Sequence, residues 1–348
     1  MSPSIVILFG GTSDERRVSV ATAQNVAEAL PEAKLCFEDP QGNFFDCQRS
    51  HVLAHPQAFV SDYLPITKPL ASSFSEALGG RDWQASVFLL ALHGGEGENG
   101  VMQKEFEKRK IAFTGSGSVA SANAFNKCEA KRIVKKVGIF GLSEEEVESS
   151  NTARVIEVTS RFLREHGELI LKPVSGGSSI GLFRVKNAQE TARVARSLAE
   201  LPNCFYLIEP FKVGRELTVG VVDDETKVFA LPPSEVITAQ GHDFDYEGKY
   251  LGKGSQEITP AQITEKQTRA SQQIAVKAHQ ALEAFGYTRT DLILSGDEIT
   301  YLETNTLPGM TKASFIPQQL AAGNIPFEKF LRTQVRLAWK RARKAIDA

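Results

Sequence analysis

The segment 286–314, which reads GYTRTDLILSGDEITYLETNTLPGMTKAS, restricts the fold of this chain more than any other feature. It predicts two short strands joined by a turn at Ser295-Gly296-Asp297. Side chains along a strand alternate between the two faces of a sheet. Polar side chains occupy alternating positions of both predicted strands: Arg289 and Asp291 in the first, Glu303 and Asn305 in the second. Each pair therefore shares one face of its strand.

The register of this hairpin decides whether the two carboxylates meet. A three-residue loop, 296–298, would place Asp291 opposite Glu303, with Cβ atoms about 5 Å apart. The same register pairs Arg289 with Asn305, whereas a two-residue loop would put the carboxylates on opposite faces. Carboxylates this close repel each other unless a cation lies between them, and Mg²⁺ takes oxygen ligands while keeping some positions for phosphate. A magnesium site is predicted, with an exposed polar strand pair as the alternative.

The composition is that of an ordinary globular protein. The 348 residues are 42% hydrophobic and 24% charged, which suits two or three domains. A formal net charge of −2 gives no general attraction to nucleic acid or to an anionic membrane. The four cysteines lack the paired spacing of a metal site, and no apolar run approaches the roughly 20 residues that span a bilayer. We therefore expect a cytoplasmic protein that binds neither nucleic acid nor membranes.

The first third of the chain alternates strand, glycine turn and helix, which is typical of a parallel α/β domain. Strands are predicted at 5–9, 85–92 and 111–114, and helices at 14–30 and 101–110. A helix at 120–137 follows, and then strands at 168–172, 182–185 and 205–208 with a helix at 188–201. Longer strands from residue 215, a glycine- and lysine-rich loop at 241–254 and helices at 264–285 and from 327 complete the chain. These patterns predict domains over 1–116, 117–212 and 213–348.

Several residues are suited to a bound nucleotide. Lys172 ends a predicted strand and precedes a glycine- and serine-rich loop, whose backbone N–H groups could approach phosphate oxygens. The loop is not a P-loop, because G-x-x-x-x-G-K-[ST] is absent. Lys127 is a second candidate for phosphate. Glu209 and Glu216, at predicted strand ends, could accept hydrogen bonds from adenine or ribose, although each alone would more often be a solvated charge.

The order of these residues along the chain resembles the ATP-grasp superfamily. Within it, four segments are similar to D-alanine–D-alanine ligases: GGTSDERRVSV (10–20), LHGGEGENGVMQ (92–103), YEGKY (246–250) and ETNTLPGMTKAS (303–314). The resemblance implies an α/β protein of the ATP-grasp fold. Its parts would be an N-terminal Rossmann-like α/β domain, a small α+β lid and a C-terminal α+β domain.

The resemblance also implies the ligand sets. ATP would bind between the lid and the last domain, at Lys127, Lys172, Ser178, Glu209, Glu216 and Lys249. Two Mg²⁺ ions, for which Mn²⁺ can substitute, would be held by Asp291, Glu303 and Asn305. This agrees with the carboxylate pair deduced from the hairpin.

The two D-alanine substrates would lie beside the nucleotide. Glu15, His93 and Glu98 would bind the first, whose carboxylate becomes an acyl phosphate. One departure from the family pattern lies here, because Asn99 stands where an aspartate is usual, which removes a negative charge. The second substrate would be held at its carboxylate by Ser314 and Lys249.

The remaining implied residues act on the transition state and on closure of the site. Arg289 and the Gly309 N–H would stabilise the tetrahedral oxyanion, and fixed donors of this kind contribute about 3–4 kcal/mol each. Tyr250 would join Ser178 and Glu15 in a hydrogen-bonded network that closes the site and excludes water.

The predicted function is ATP-dependent ligation of two D-alanine molecules for peptidoglycan precursors, by a homodimer according to family analogy. A D-alanine–D-lactate or D-alanine–D-serine ligase of the same fold is the closest alternative. A non-catalytic nucleotide-binding protein is disfavoured, because every expected metal ligand and Arg289 are present.

Overall fold

The computed structural model describes residues 3–177, 181–238 and 255–347. Its helices are α1 (Arg16–Ala29), α2 (Arg49–Ala54), α3 (Phe74–Gly79), α4 (Val101–Lys108), α5 (Ser118–Phe125), α6 (Lys127–Lys135), α7 (Thr152–His166), α8 (Ala188–Ala199), α9 (Glu265–Ala281), α10 (Phe315–Ala322) and α11 (Phe327–Asp347). Its strands are β1 (Ser4–Gly10), β2 (Lys34–Glu38), β3 (Phe44–Cys47), β4 (Ser86–Leu90), β5 (Ala112–Phe113), β6 (Glu145–Glu148), β7 (Leu169–Pro173), β8 (Phe183–Val185), β9 (Phe205–Pro210), β10 (Arg215–Asp223), β11 (Val228–Ala230), β12 (Ser234–Thr238), β13 (Ser255–Ile258), β14 (Tyr287–Ser295) and β15 (Glu298–Asn305). None of these helices is long and apolar enough to cross a membrane.

The first sheet has the strand order β3-β2-β1-β4-β5, in which β1 runs parallel to β2 and β4, and β4 runs parallel to β5. Its central strands are continuous apolar runs because both faces are buried. Gly10 ends β1 with φ +93°, and a Cβ there would lie 2.1 Å from the Glu38 carbonyl oxygen. Only glycine therefore fits this turn. The parallel α/β arrangement predicted for this part of the chain is confirmed.

A small antiparallel sheet, β6-β9-β7-β8, forms the middle of the chain. Helices α7 and α8 supply apolar residues to its own separate core, which includes Val155, Val194 and Tyr206. Neither β6 nor α7 was predicted from the sequence. Three of the four residues of β6 are glutamates, so the strand has no apolar pattern. Its one buried residue, Val147, packs in this core.

The single helix predicted over 120–137 is wrong, since two helices occupy this segment. Asn126 separates them in an extended conformation (φ −87°, ψ 106°), and its side chain accepts a hydrogen bond from the Glu129 N–H at 3.0 Å. Asparagine favours such a capping position because its short amide competes for local backbone donors. Ala130 and Val134 of α6 then pack in one core with Leu292 and Tyr301 of the last sheet.

The last sheet has the order β13-β12-β10-β14-β15, with β11 paired to β10. Within it, β14 and β15 place Asp291 opposite Glu303 and Arg289 opposite Asn305. The predicted pairing is confirmed, but the predicted loop is wrong. Ser295 pairs with Glu298, so the loop has two residues, and a bulge between Asp291 and Leu292 restores the register. An extra residue in one strand reverses the faces of all later pairs, which returns both carboxylates to the same face.

The last helix ties the end of the chain to the first sheet. Arg341 of α11 donates to the carbonyl oxygens of Phe113 and Gly115, both at 2.7 Å. Its guanidinium lies 4.5 Å from the ring centre of Phe113 and 4.4 Å from that of Phe285. Burial lowers the pKa of Arg341 to about 10. The planar guanidinium of Arg341 therefore links β5 to Phe285, in the segment that follows α9.

Replacing Arg341 with methionine is expected to destabilise the fold by roughly 2–3 kcal/mol, because two carbonyl groups lose their donors. The measurement is the urea midpoint, followed by circular dichroism. Lys344→Met, three residues later on an exposed position of α11, is the matched control and should leave the midpoint unchanged. Equal urea midpoints for the two variants would contradict a stabilising role for the hydrogen bonds of Arg341.

Candidate functional site

The predicted site residues that the structure describes come from three separate parts of the chain, and close approaches between these parts bring several of them together. A Cβ on Gly177, in the middle part, would lie 3.5 Å from the Glu15 carboxylate of the first part. A Cβ on Gly309, in the last part, would lie 3.7 Å from the His93 ring. Ser178, Lys249 and Tyr250 lie outside the described residues.

The predicted metal ligands share one face of the β14–β15 hairpin. Asp291 is 9% exposed and accepts two hydrogen bonds from Arg289, at 3.0 and 2.9 Å, and one from Thr218 at 2.5 Å. Glu303 lies 3.6 Å from the Lys127 ammonium group. The Asn305 amide oxygen accepts from the Leu307 N–H at 2.7 Å.

This donor set suits a hard divalent cation. It offers two carboxylates and one amide oxygen, and oxygen donors are what Mg²⁺ prefers. Within the described residues, no group of three histidine, cysteine or carboxylate side chains is arranged to hold a metal. The amide of Asn305 as the third donor is consistent with that finding. Each of these two carboxylates has a protein cation beside it, Arg289 for Asp291 and Lys127 for Glu303.

A second group of charges lies deeper, between α6, β7 and β9. Glu209 is only 2% exposed and forms ion pairs with two lysines, Lys172 at 2.7 Å and Lys131 at its other oxygen. Lys131 also lies 2.7 Å from Glu144. Burial lowers the pKa of Lys172 to about 7. The alternative of a solvated charge at a strand end is therefore wrong for Glu209, because the side chain is buried and ion-paired, and β9 continues past it to Pro210.

Lys131 and Glu144 were missed by sequence reasoning, although Lys131 carried a signal. It lies four residues after Lys127, and residues four apart share one face of a helix. Glu144 carried none, because nothing local distinguishes it from the neighbouring acidic residues.

Glu216 lines a cavity of about 660 Å³, including open space, that also reaches Arg289, Asp291, Gly309 and Ser314.

The predicted pocket for the first substrate is formed by buried polar residues. Glu15, His93 and Glu98 are 8%, 4% and 8% exposed. His93 pairs with the Thr22 hydroxyl at 2.9 Å, and burial, followed by the charge of Arg289, lowers its pKa to about 3. The ring is therefore neutral at pH 7. Burial, followed by repulsion from Glu15, raises the pKa of Glu98 well above its usual range.

The Gly309–Ser314 turn closes the other end of the cleft. The Ser314 hydroxyl pairs with the Thr311 hydroxyl at 2.7 Å and accepts from the Thr311 N–H at 3.1 Å. A Cβ on Gly309 would come within 2.8 Å of this hydroxyl. Ser314 is also the N-cap of α10, with an extended backbone and no capping bond from its side chain. The turn therefore combines a glycine, at which a side chain would displace Ser314, with a hydroxyl positioned by Thr311.

Comparison with known proteins identifies two family domains along the chain. The model of the D-ala D-ala ligase N-terminus matches residues 4–116, and that of the D-ala D-ala ligase C-terminus matches residues 133–336. A D-alanine–D-alanine ligase of Leptospira interrogans is 32% identical, and the match covers 97% of this chain and 99% of that protein.

Solved structures of similar proteins confirm the predicted ATP-grasp fold. The D-alanine-D-alanine ligase from Coxiella burnetii superposes with a TM-score of 0.79 at 23% identity, covering 99% of this chain and 96% of its own. The VanG D-Ala:D-Ser ligase from Enterococcus faecalis does so with a TM-score of 0.80 at 25% identity, covering 97% of this chain and all of its own. Together with the two domain matches, the sequence identity shows that this chain belongs to the D-alanine–D-alanine ligase family.

Proposed function

We propose that this chain joins two molecules of D-alanine into D-alanyl-D-alanine, with conversion of ATP to ADP and phosphate, for peptidoglycan precursors. The observation that carries the proposal is the shared face of the β14–β15 hairpin. It combines Asp291, Glu303 and Asn305 with Arg289, directly beside the Gly309–Ser314 turn. Phosphoryl transfer needs a site for metal and phosphate, and acyl transfer needs fixed donors for an oxyanion. The proposed reaction requires these two sites next to each other.

The nucleotide would occupy the cleft between the middle sheet and the last sheet. Lys127 and Lys172 would contact its phosphates, while Glu209 and Glu216 would accept from adenine and ribose. Asp291, Glu303 and Asn305 would hold two Mg²⁺ ions, with Mn²⁺ as a substitute. When bound, the metal would neutralise phosphate oxygens during transfer of the γ-phosphoryl group. Lys127 and Glu303, now 3.6 Å apart, are close enough to act on the same phosphate.

The first D-alanine would bind with its ammonium group at Glu15, in the pocket bordered by His93 and Glu98. Its carboxylate oxygen attacks the γ-phosphorus of ATP, ADP leaves, and an acyl phosphate forms. The buried, neutral His93 suits this role, because it adds no charge that would hold the carboxylate away from the phosphate.

The second D-alanine would bind through its carboxylate at Ser314, with Lys249 as a further partner. Its neutral amine would attack the acyl carbon, and Arg289 and the Gly309 N–H would stabilise the tetrahedral oxyanion. The C–O bond to phosphate then breaks, and the leaving phosphate takes the proton that the amine loses as the amide forms. Ser178 and Tyr250 would close the site, with Glu15, against water that would hydrolyse the acyl phosphate.

The division into domains 1–116, 117–212 and 213–348, the cytoplasmic location and the homodimer stay predictions. The separate apolar core of the middle sheet supports a distinct lid. The core of the first sheet, in contrast, continues into Leu320 and Phe330 of the last helices.

The experiment that tests this function is identification of products by mass spectrometry. The protein is supplied with ATP, Mg²⁺, D-alanine and equal amounts of D-lactate and D-serine, with L-alanine as the control. D-alanyl-D-alanine as the main product is expected. A main product with D-lactate or D-serine would move the chain to the alternative ligases. Binding of ATP without any ligated product would refute the ligase function.

Glu303→Gln is expected to lower turnover about 100-fold or more, because an amide is a poor substitute for a metal-binding carboxylate. The thermal midpoint should change little, since the contact of Glu303 with Lys127 is long and Glu303 is 26% exposed. ADP release dependent on D-alanine is the measurement. Glu298→Gln, at the exposed start of the same strand, is the control. Turnover of Glu303→Gln equal to that of the control would exclude a metal role for Glu303.

Gly309→Ala tests the acyl-transfer end of the site. The added methyl group would lie 2.8 Å from the Ser314 hydroxyl, so the turn must shift. We expect kcat to fall and the KM for the second D-alanine to rise, each by about tenfold, because small displacements of positioning groups are costly. The KM for ATP should stay constant. Gly79→Ala, where the methyl group meets nothing within 4 Å, is the control. A raised KM for ATP alone would contradict the assignment.

A further inference from the structure

Lys131 is a buried lysine to which the proposed mechanism assigns no task. It is 5% exposed and lies on α6, one turn after Lys127. Its ammonium group lies 2.7 Å from Glu144 and forms an ion pair with one oxygen of Glu209. Lys172 lies 2.7 Å from the other oxygen of Glu209. The four side chains alternate in sign along one chain of contacts: Glu144, Lys131, Glu209, Lys172.

The arrangement gives the carboxylate of Glu209 two counter-charges, one at each oxygen. Glu209 is 2% exposed, so water cannot replace a lost partner. A buried ion that loses its partner is strongly destabilising, whereas one that keeps a partner is tolerated. Glu209 can therefore release one lysine as long as the other remains.

The two lysines differ in their surroundings. Lys131 is held on its other side by Glu144, and its aliphatic chain packs against Gly141, where a Cβ would lie 3.5 Å from its Cε. Lys172 instead lies one residue before the end of β7, close in the chain to the glycine-rich segment that begins at Ser175. Lys131 is thus held from both sides, and Lys172 is the member of the pair next to the loop expected at the phosphates.

We propose, on the basis of the function proposed above, that Lys131 is a positioning residue which serves as the permanent counter-charge of Glu209 and thereby releases Lys172 to the phosphates of the nucleotide. Without Lys131, departure of Lys172 would leave Glu209 buried and unpaired. Lys172 would then stay on Glu209, and the phosphates would lose a cation. Glu144 would assist by keeping the Lys131 ammonium group beside Glu209.

The test compares ligands that share adenine and ribose but differ in phosphates. Affinities of Mg·ATP, ADP and adenosine are measured by equilibrium competition against radiolabelled ATP, for wild type and Lys131→Met. We expect the dissociation constants of ATP and ADP to rise about tenfold or more, and that of adenosine by less than about threefold. Adenosine is affected least because Glu209, with or without Lys131, would keep one lysine and one oxygen that can accept from adenine or ribose. A purely structural role for Lys131 would weaken all three ligands to the same extent.

Because Lys131→Met leaves an excess negative charge in the interior, the double variant Lys131→Met/Glu144→Gln is measured in parallel. It restores the balance, since Glu209 and Lys172 remain as one pair, so its thermal midpoint should return toward that of wild type. The loss of ATP affinity should persist, because Lys172 still has to stay on Glu209. Lys135→Met, exposed one turn later on α6, is the control and should bind all three ligands as wild type does.

Two outcomes would overturn the proposal: wild-type ATP affinity in the double variant, or an equal loss for ATP, ADP and adenosine. Failure of the wild-type protein to bind ATP is a different result, because it would refute the proposed function itself. A double variant with a specific loss of ATP and ADP affinity and a restored thermal midpoint would support the role of Lys131.

Discussion

The antiparallel pairing of β14 with β15 is the interaction on which the rest of this structure depends. It sets Asp291 against Glu303 and Arg289 against Asn305, on the face that borders the cleft. A change of register by one residue would turn half of these side chains into the apolar core beneath. β14 also pairs with β10 over eight residues, so it is held on both sides, whereas β15 forms the edge of the described sheet.

Charge balance is the second constraint on the site. Asp291 is paired with Arg289, Glu303 with Lys127, and Glu209 with Lys131 and Lys172. A site that binds a polyanion with its metal ions needs both signs of charge, and burying them unpaired would destabilise the fold. Asp291, Glu303 and Glu209 meet this requirement, because each has a protein cation beside it. Ligands would then exchange partners with these pairs rather than fill uncompensated positions.

Local patterns predicted some elements well and others poorly, for identifiable reasons. Strands β1, β4 and β5 of the first sheet were predicted, because continuous apolar runs report burial directly, whereas β2 and β3 of the same sheet were not. The break at Asn126 was overlooked because the flanking helix-forming residues masked one capping side chain. The hairpin pairing was predicted correctly from a wrong loop length, since a bulge opposite Asp291 compensates for the shorter turn. A bulge of this kind leaves little trace in the residue types themselves.

The sequence by itself determined the family, the ATP-grasp fold and the residue types available for chemistry. Long motifs in a set order can be recognised without knowing how the chain packs. It also determined which side chains share a strand face, since alternation is a property of the backbone. Only the tertiary structure decided which charges oppose each other. Glu209 is far along the chain from Lys131 and Glu144, and the ion pairs exist because α6, β9 and the segment before β6 are packed together. Loss of one partner of such a pair is strongly destabilising only when the pair is buried. Burial is a property of the assembled fold.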